Sequence, residues 1–144
     1  MENSNIHQTV PFFGVRDMEA SLIFYIDGLG FTITHKWVPE DQIVWCAISR
    51  GGGRLMLQQF QTKGHDSWQP EGKPGIGVSI NFICDDALSL YHEYLEKGLR
   101  PSEPFVGNNM WVTSLQDPDG YNLFFESPTA VAEETVYSDW KNSQ

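Results

Sequence analysis

Apolar and polar positions follow the same order twice along this chain. The clearer copy is residues 111–128, WVTSLQDPDGYNLFFESP, which reads as strand, tight turn, strand. In the turn Asp117-Pro118-Asp119-Gly120, proline pre-sets φ at the second position. Glycine supplies a fourth residue without a Cβ clash. The returning strand carries Leu123, Phe124 and Phe125, then a single carboxylate at Glu126. A weaker copy occupies residues 44–60, VWCAISRGGGRLMLQQF. It has a tryptophan-bearing strand, a glycine-rich turn, an apolar strand and a polar end.

The repetition extends upstream. Residues 10–31, VPFFGVRDMEASLIFYIDGLGF, and 78–99, VSINFICDDALSLYHEYLEKGL, each open on a short apolar strand and pass through aspartate into a helix. Asp17 and either Asp85 or Asp86 suit N-caps, where a carboxylate accepts the free amides of the first turn. The first helix carries Leu22, Phe24, Tyr25 and Leu29. The second carries Leu88, Tyr91, Leu95 and Leu99 at three-or-four spacing. Gly28 and Gly98 stand where a glycine ends a helix. The predicted unit is β-α-β-β with a further strand, repeated at about 68 residues. The fold class is therefore α+β. A single domain over 1–144 would hold module one at 8–60, a linker at 61–77, module two at 78–127 and a tail at 128–144.

On these residues the chain resembles the vicinal oxygen chelate superfamily, which includes glyoxalase I, extradiol dioxygenases, fosfomycin-resistance proteins and bleomycin-resistance proteins. The resemblance rests on residues 10–18, then SLIFYIDGLGF, RLMLQQF, FICDD and DPDGYNLFFESP. It implies two βαβββ modules forming a curved, mostly antiparallel sheet around a cavity, with paired subunits completing it, so a homodimer. Enzymes of that group hold a divalent ion with His, Glu or Gln from four strands. Carried over one at a time, those positions fall on Val10, Met56, Ser79 and Phe124. None is an ordinary ligand for such an ion. A shift of two along the strands would bring in Gln58 and Glu126. The histidines (His7, His35, His65 and His92) have no helical His-x-x-x-His spacing, and each reads as solvated or locally hydrogen-bonded. The expectation is no metal and no cofactor, closest in character to the metal-free bleomycin-resistance-like binders. A metal-dependent lyase, isomerase or dioxygenase, and a non-catalytic structural or regulatory dimer, stay open as alternatives.

Residues two apart on a strand share a face. Met56 thus goes with Gln58, Phe124 with Glu126, Ser79 with Asn81, and Val10 with Phe12. Trp45 and Trp111 stand on matching hairpin strands and are expected at the wall or rim. The predicted ligand-binding set is Phe12, Trp45, Met56, Gln58, Asn81, Trp111, Phe124 and Glu126. It is apolar and aromatic with three polar groups, the usual composition of a small-molecule pocket. Burying Glu126 without a partner is costly. It reaches solvent, pairs with a side chain, or meets a cation, which suggests a cationic aromatic ligand.

The net charge of -10, from 19 acids and 9 bases, argues against nucleic acid, whose phosphates need a basic stripe. No apolar run approaches the ~18 residues that span a bilayer, and the N-terminus lacks the basic start and apolar core of a secretory signal. Cys46 and Cys84, each in apolar sequence, read as small core residues in a reducing compartment, so a cytoplasmic location is expected. Tyr137 and Trp140 in the acidic tail are expected to pack on the body or on a partner subunit. Trp68, in the linker with its four glycines and two prolines, is either an anchor on the body or a lid over the cavity.

Overall fold

A computed structural model describes residues 5–64 and 67–144. Module one runs β1 (Phe12–Val15), α1 (Met18–Leu22), β2 (Thr32–Trp37), β3 (Trp45–Arg50) and β4 (Gly53–Gln59). Module two runs β5 (Ser79–Ile83), α2 (Ala87–Glu96), β6 (Phe105–Gly107), β7 (Met110–Gln116) and β8 (Asn122–Pro128), and α3 (Tyr137–Asn142) follows. The strand orders are β1-β4-β3-β2 and β5-β8-β7-β6, the same topology twice. In each sheet the first strand lies parallel to the last, and the other pairs are antiparallel. The two βαβββ modules are as the sequence predicts. Their sheets are two separate four-stranded sheets, however, and do not close on one another.

The helix starts follow from capping chemistry. Asp17 Oδ1 accepts from the Ala20 amide at 3.3 Å. Of the paired aspartates it is Asp86 that caps α2, accepting from the Ser89 amide at 3.1 Å. Gly98 ends that helix with φ of +81°, the left-handed conformation that favours glycine. Gly28 has a different role from the one its spacing suggests. After Leu22 the helix widens into a π-helical segment, Ile23–Gly28, with the Leu29 amide bonded to the Phe24 carbonyl at 2.9 Å. Gly30 takes the positive φ instead, and Gly28 makes room for Leu99.

One face of each sheet is turned to the helices. Leu55, Leu57 and Ile48 from module one and Leu115, Leu123 and Phe125 from module two join Tyr25, Leu29 and Tyr94 in one buried cluster. The DPDG turn fixes how the modules meet. Asp117 is buried, and its Oδ1 accepts from the amides of Asp119 and Tyr121, each at 2.9 Å. Its Oδ2 accepts from the Tyr25 hydroxyl of the first module at 2.8 Å. Asp119 Oδ1 accepts from the Arg16 amide at 3.1 Å. The Tyr121 ring stacks on Phe13 at 4.0 Å, and its hydroxyl donates to the Gly14 carbonyl at 3.0 Å.

The linker is anchored on the opposite side of the same strand. Trp68 donates its amide to the Gln61 carbonyl at 3.0 Å and lays its ring 5.7 Å from Phe12 and 5.3 Å from Phe60. It is nonetheless 40 % exposed. Gly14 permits this arrangement, since a Cβ there would overlap the Phe60 ring and press on Trp68.

Two outcomes test this account. Asp117→Ala strands three donors and should cost about 3–5 kcal/mol in denaturant unfolding. Burial raises the Asp117 pKa against the pull of its donors. Its titration therefore favours the fold below the unfolded value, and that contribution is lost as pH climbs through the folded one. The Tm gap between the native protein and Asp117→Asn should thus be wider in mild acid than at neutral pH. Gly14→Ala should cost about 1–3 kcal/mol through overpacking and shift tryptophan emission as Trp68 is displaced. Unchanged emission would show that Trp68 does not rest on β1.

Candidate functional site

Each sheet has a second face, turned away from the helices. Register decides which side chains share it. On sheet one, Phe12 lies opposite Met56 and Met56 opposite Ala47. Gly14 lies opposite Gln58, Gln58 opposite Trp45, and Trp45 opposite Trp37. Phe12, Trp45, Met56 and Gln58 therefore occupy one open face. On sheet two, Asn81 lies opposite Phe124, and Glu126 lies between Ile83 and Val112. Asn81, Phe124 and Glu126 share that face. The structure thus divides the predicted set between two sheets, an aromatic group on the first and a polar one on the second.

Trp111 does not belong to either group. It pairs with Ser127, one residue out of step with Glu126, so its ring points to the helix side. There it is buried against Trp140 at 5.5 Å and Tyr137 at 6.1 Å. The residue that matches Trp45 in register is Val112. Aligning the hairpins on their tryptophans slips one position, and a slip of one exchanges the faces. Tyr137 and Trp140 pack on the body of their own chain. The backbone before them extends sheet two, with the Val106 amide donating to Thr135 and the Tyr137 amide to Pro104, both at 2.9 Å.

Sequence reasoning missed Trp37 and gave Trp68 no fixed place. Trp37 is 50 % exposed on the open face beside Trp45. Its signal was the alternation of β2, weakened by a register shift between Ile33 and His35. With Phe12, 45 % exposed, and Trp68 it gives sheet one a broad aromatic surface next to Gln58.

The polar group on sheet two is ordered by its own bonds. Ser79 Oγ donates to Asn81 Oδ1 at 3.1 Å, and Asn81 Nδ2 donates to Glu126 Oε1 at 2.8 Å. Glu126 thus has the side-chain partner that its partial burial calls for. Its Oε2 makes no hydrogen bond among the described residues. Phe124 flanks it two residues away on the same face.

The donors present do not fit a divalent ion. Val10, Met56, Ser79 and Phe124 supply an alkyl group, a thioether, a hydroxyl already bonded to Asn81, and a ring. Gln58 and Glu126 lie on different sheets. Among the described residues no three His, Cys, Asp or Glu side chains cluster. His7 and His35 are exposed, and His92 Nε2 lies 2.9 Å from the Tyr137 hydroxyl. His65 lies outside the described residues. Burial pushes the Cys46 thiol up to about 11 and raises that of Cys84, so both are poor nucleophiles at neutral pH. Cys84 is only half-buried and sits just past the end of β5. No helix among the described residues is long and apolar enough to cross a membrane.

Solved structures share this architecture. TnmS3, an antibiotic binding protein from Streptomyces sp. CB03234, is 21% identical, with a TM-score of 0.65 over 88% of this chain and 100% of its own. A glyoxalase/bleomycin resistance protein/dioxygenase from Nocardioides is 19% identical, with a TM-score of 0.65 over 90% of this chain and 89% of its own. A putative glyoxalase family protein from Bacillus anthracis is 15% identical, with a TM-score of 0.64 over 88% and 100%. At these identities the likeness concerns the fold. No curated protein sequence matches significantly. The family described as "Glyoxalase/Bleomycin resistance protein/Dioxygenase superfamily" matches residues 5–125, and the chain belongs to that superfamily.

Proposed function

We propose that the protein is a dimeric, metal-independent binder of a small cationic aromatic molecule, held on the open faces of its sheets. The observation that carries this reading is the Glu126 carboxylate, oriented by Asn81 and flanked by Phe124. Aromatic faces attract cations, and a carboxylate alongside supplies the countercharge. Phe12, Trp37, Trp45 and Trp68 on sheet one offer the flat apolar area that such a ligand needs. Gln58 adds an amide able to orient it. The antibiotic-binding neighbour TnmS3 supports a small-molecule ligand. The donor set favours binding over metal-dependent lyase, isomerase or dioxygenase chemistry, because neither sheet offers a ligand shell.

A homodimer fits the same picture. Phe12, Trp37, Val78 and Ile83 are 45 to 65 % exposed on or beside these faces. A second subunit would cover them and place an aromatic face against a polar one.

Light scattering at tens of micromolar should give twice the chain mass, and a monomer would remove the dimer from this account. A thermal-shift screen of cationic aromatic compounds should raise Tm through binding linkage. The shift should shrink in Glu126→Gln, which keeps the shape and loses the charge. It should persist in the presence of EDTA. Hits that are only neutral or anionic, an equal response by the variant, or abolition by the chelator would refute the reading.

A further inference from the structure

A groove of about 820 Å³ runs between the β3–β4 turn and the start of module two. That volume lies within the range of small-molecule sites, about 300–1,000 Å³. The groove borders the open faces at Arg54, Asn81 and Ile83, but its walls belong to the helix side. Phe31, Phe82, Leu90 and Phe125 line them. At the rim Gly51 and Gly52 have no neighbour within 4 Å of where a Cβ would stand, so the mouth stays wide.

Tyr94 lines the same groove and is 0 % exposed, yet its hydroxyl has no hydrogen-bond partner among the described residues. A buried hydroxyl without a partner costs free energy, and natural structures rarely leave one so. The other such hydroxyl among the described residues, on Ser21, does not line this groove. Arg50 stands beside Tyr94, but a guanidinium only donates, so it cannot accept the phenolic proton. Nη1 donates to the Leu29 carbonyl at 2.8 Å and to Glu93 Oε2 at 2.7 Å, and Nη2 to Glu93 Oε1 at 3.1 Å. Burial raises the Tyr94 pKa, so at neutral pH the phenol keeps its proton and offers it as a donor.

We propose that this groove is a second binding site, for a small molecule with an apolar ring or chain and one carbonyl or carboxylate oxygen that accepts from the Tyr94 hydroxyl. Phe31, Phe82 and Phe125 take the apolar part. The Arg50–Glu93 pair holds a fixed dipole at the rim. Asp85 and Asp86 at the mouth disfavour ligands with several negative charges. An ammonium group has no lone pair to accept from Tyr94 and is not selected. The groove shares Asn81 with the open-face site, but Tyr94 lies on neither open face, so Tyr94→Phe probes this site separately from Glu126→Gln.

The test uses the whole chain, with 3-phenylpropanoate as probe and 3-phenylpropylammonium as its counterpart lacking an acceptor. Calorimetric titration should give saturable binding of the carboxylate and none of the ammonium. Tyr94→Phe should weaken the carboxylate about tenfold. Without ligand, the same variant should keep or raise the native Tm, since it removes an unpaired hydroxyl and no packing. No saturable binding to the native protein overturns the proposal. So does equal affinity in Tyr94→Phe, or a lower Tm of the free variant, which would mean that the hydroxyl already has a partner.

Discussion

The arrangement of the two modules depends on one buried carboxylate. Asp117 closes its own turn with two amide donors and reaches across to Tyr25 with its second oxygen. A turn alone needs only the first two. The third bond makes the hairpin of module two a part of module one, and Arg16 with Asp119 and Tyr121 with Phe13 and Gly14 reinforce the contact. Burial of the shared apolar cluster supplies most of the driving force. That force is non-directional, whereas the polar contacts set orientation. A residue that reads as turn chemistry is therefore also the joint between modules.

The same joint reaches the candidate site through Gly14. Its carbonyl receives the Tyr121 hydroxyl, while the space where a Cβ would be holds Phe60 and Trp68. One short strand is thus held by the latch on one side and carries the aromatic surface on the other. Disturbing the latch must move β1, and with it Phe12 and the seat of Trp68. In the other direction, a ligand wedged against Trp68 would act on the strand that positions the latch. For a ligand bound as proposed, binding and stability would be coupled by direct contact, without any need for a long-range path.

What could be read from the sequence follows the range of the forces involved. Both βαβββ units, the caps at Asp17 and Asp86, the stop at Gly98 and the DPDG turn are local, and local chemistry specifies them. Alternation predicts which side chains share a face, and the pairing groups Phe12, Trp45, Met56 and Gln58 on sheet one and Asn81, Phe124 and Glu126 on sheet two. Trp111 failed because two hairpins were matched by residue type instead of by register, and a period of two forgives no odd error. The π-helical widening after Leu22 was not legible either, because it answers to packing of Tyr25 and Leu29 in the shared core. That the sheets stay separate was likewise hidden, since nothing in a strand's own pattern says what its edge meets.

Comparing the modules in correct register shows where chemistry can reside on a doubled fold. On the helix side, Leu55 and Leu57 stand where module two has Leu123 and Phe125, and all four are buried. Packing constrains such positions to apolar residues of similar size. On the open side, Met56 and Gln58 stand where module two has Phe124 and Glu126. These side chains are only partly covered and are free of that constraint. There the modules differ in charge, size and hydrogen bonding. The fold is thus written on one face of each sheet, and the two modules diverge on the other. Glu126 is the one charged group among these four positions, so the electrostatic part of any selectivity on these faces falls first on it.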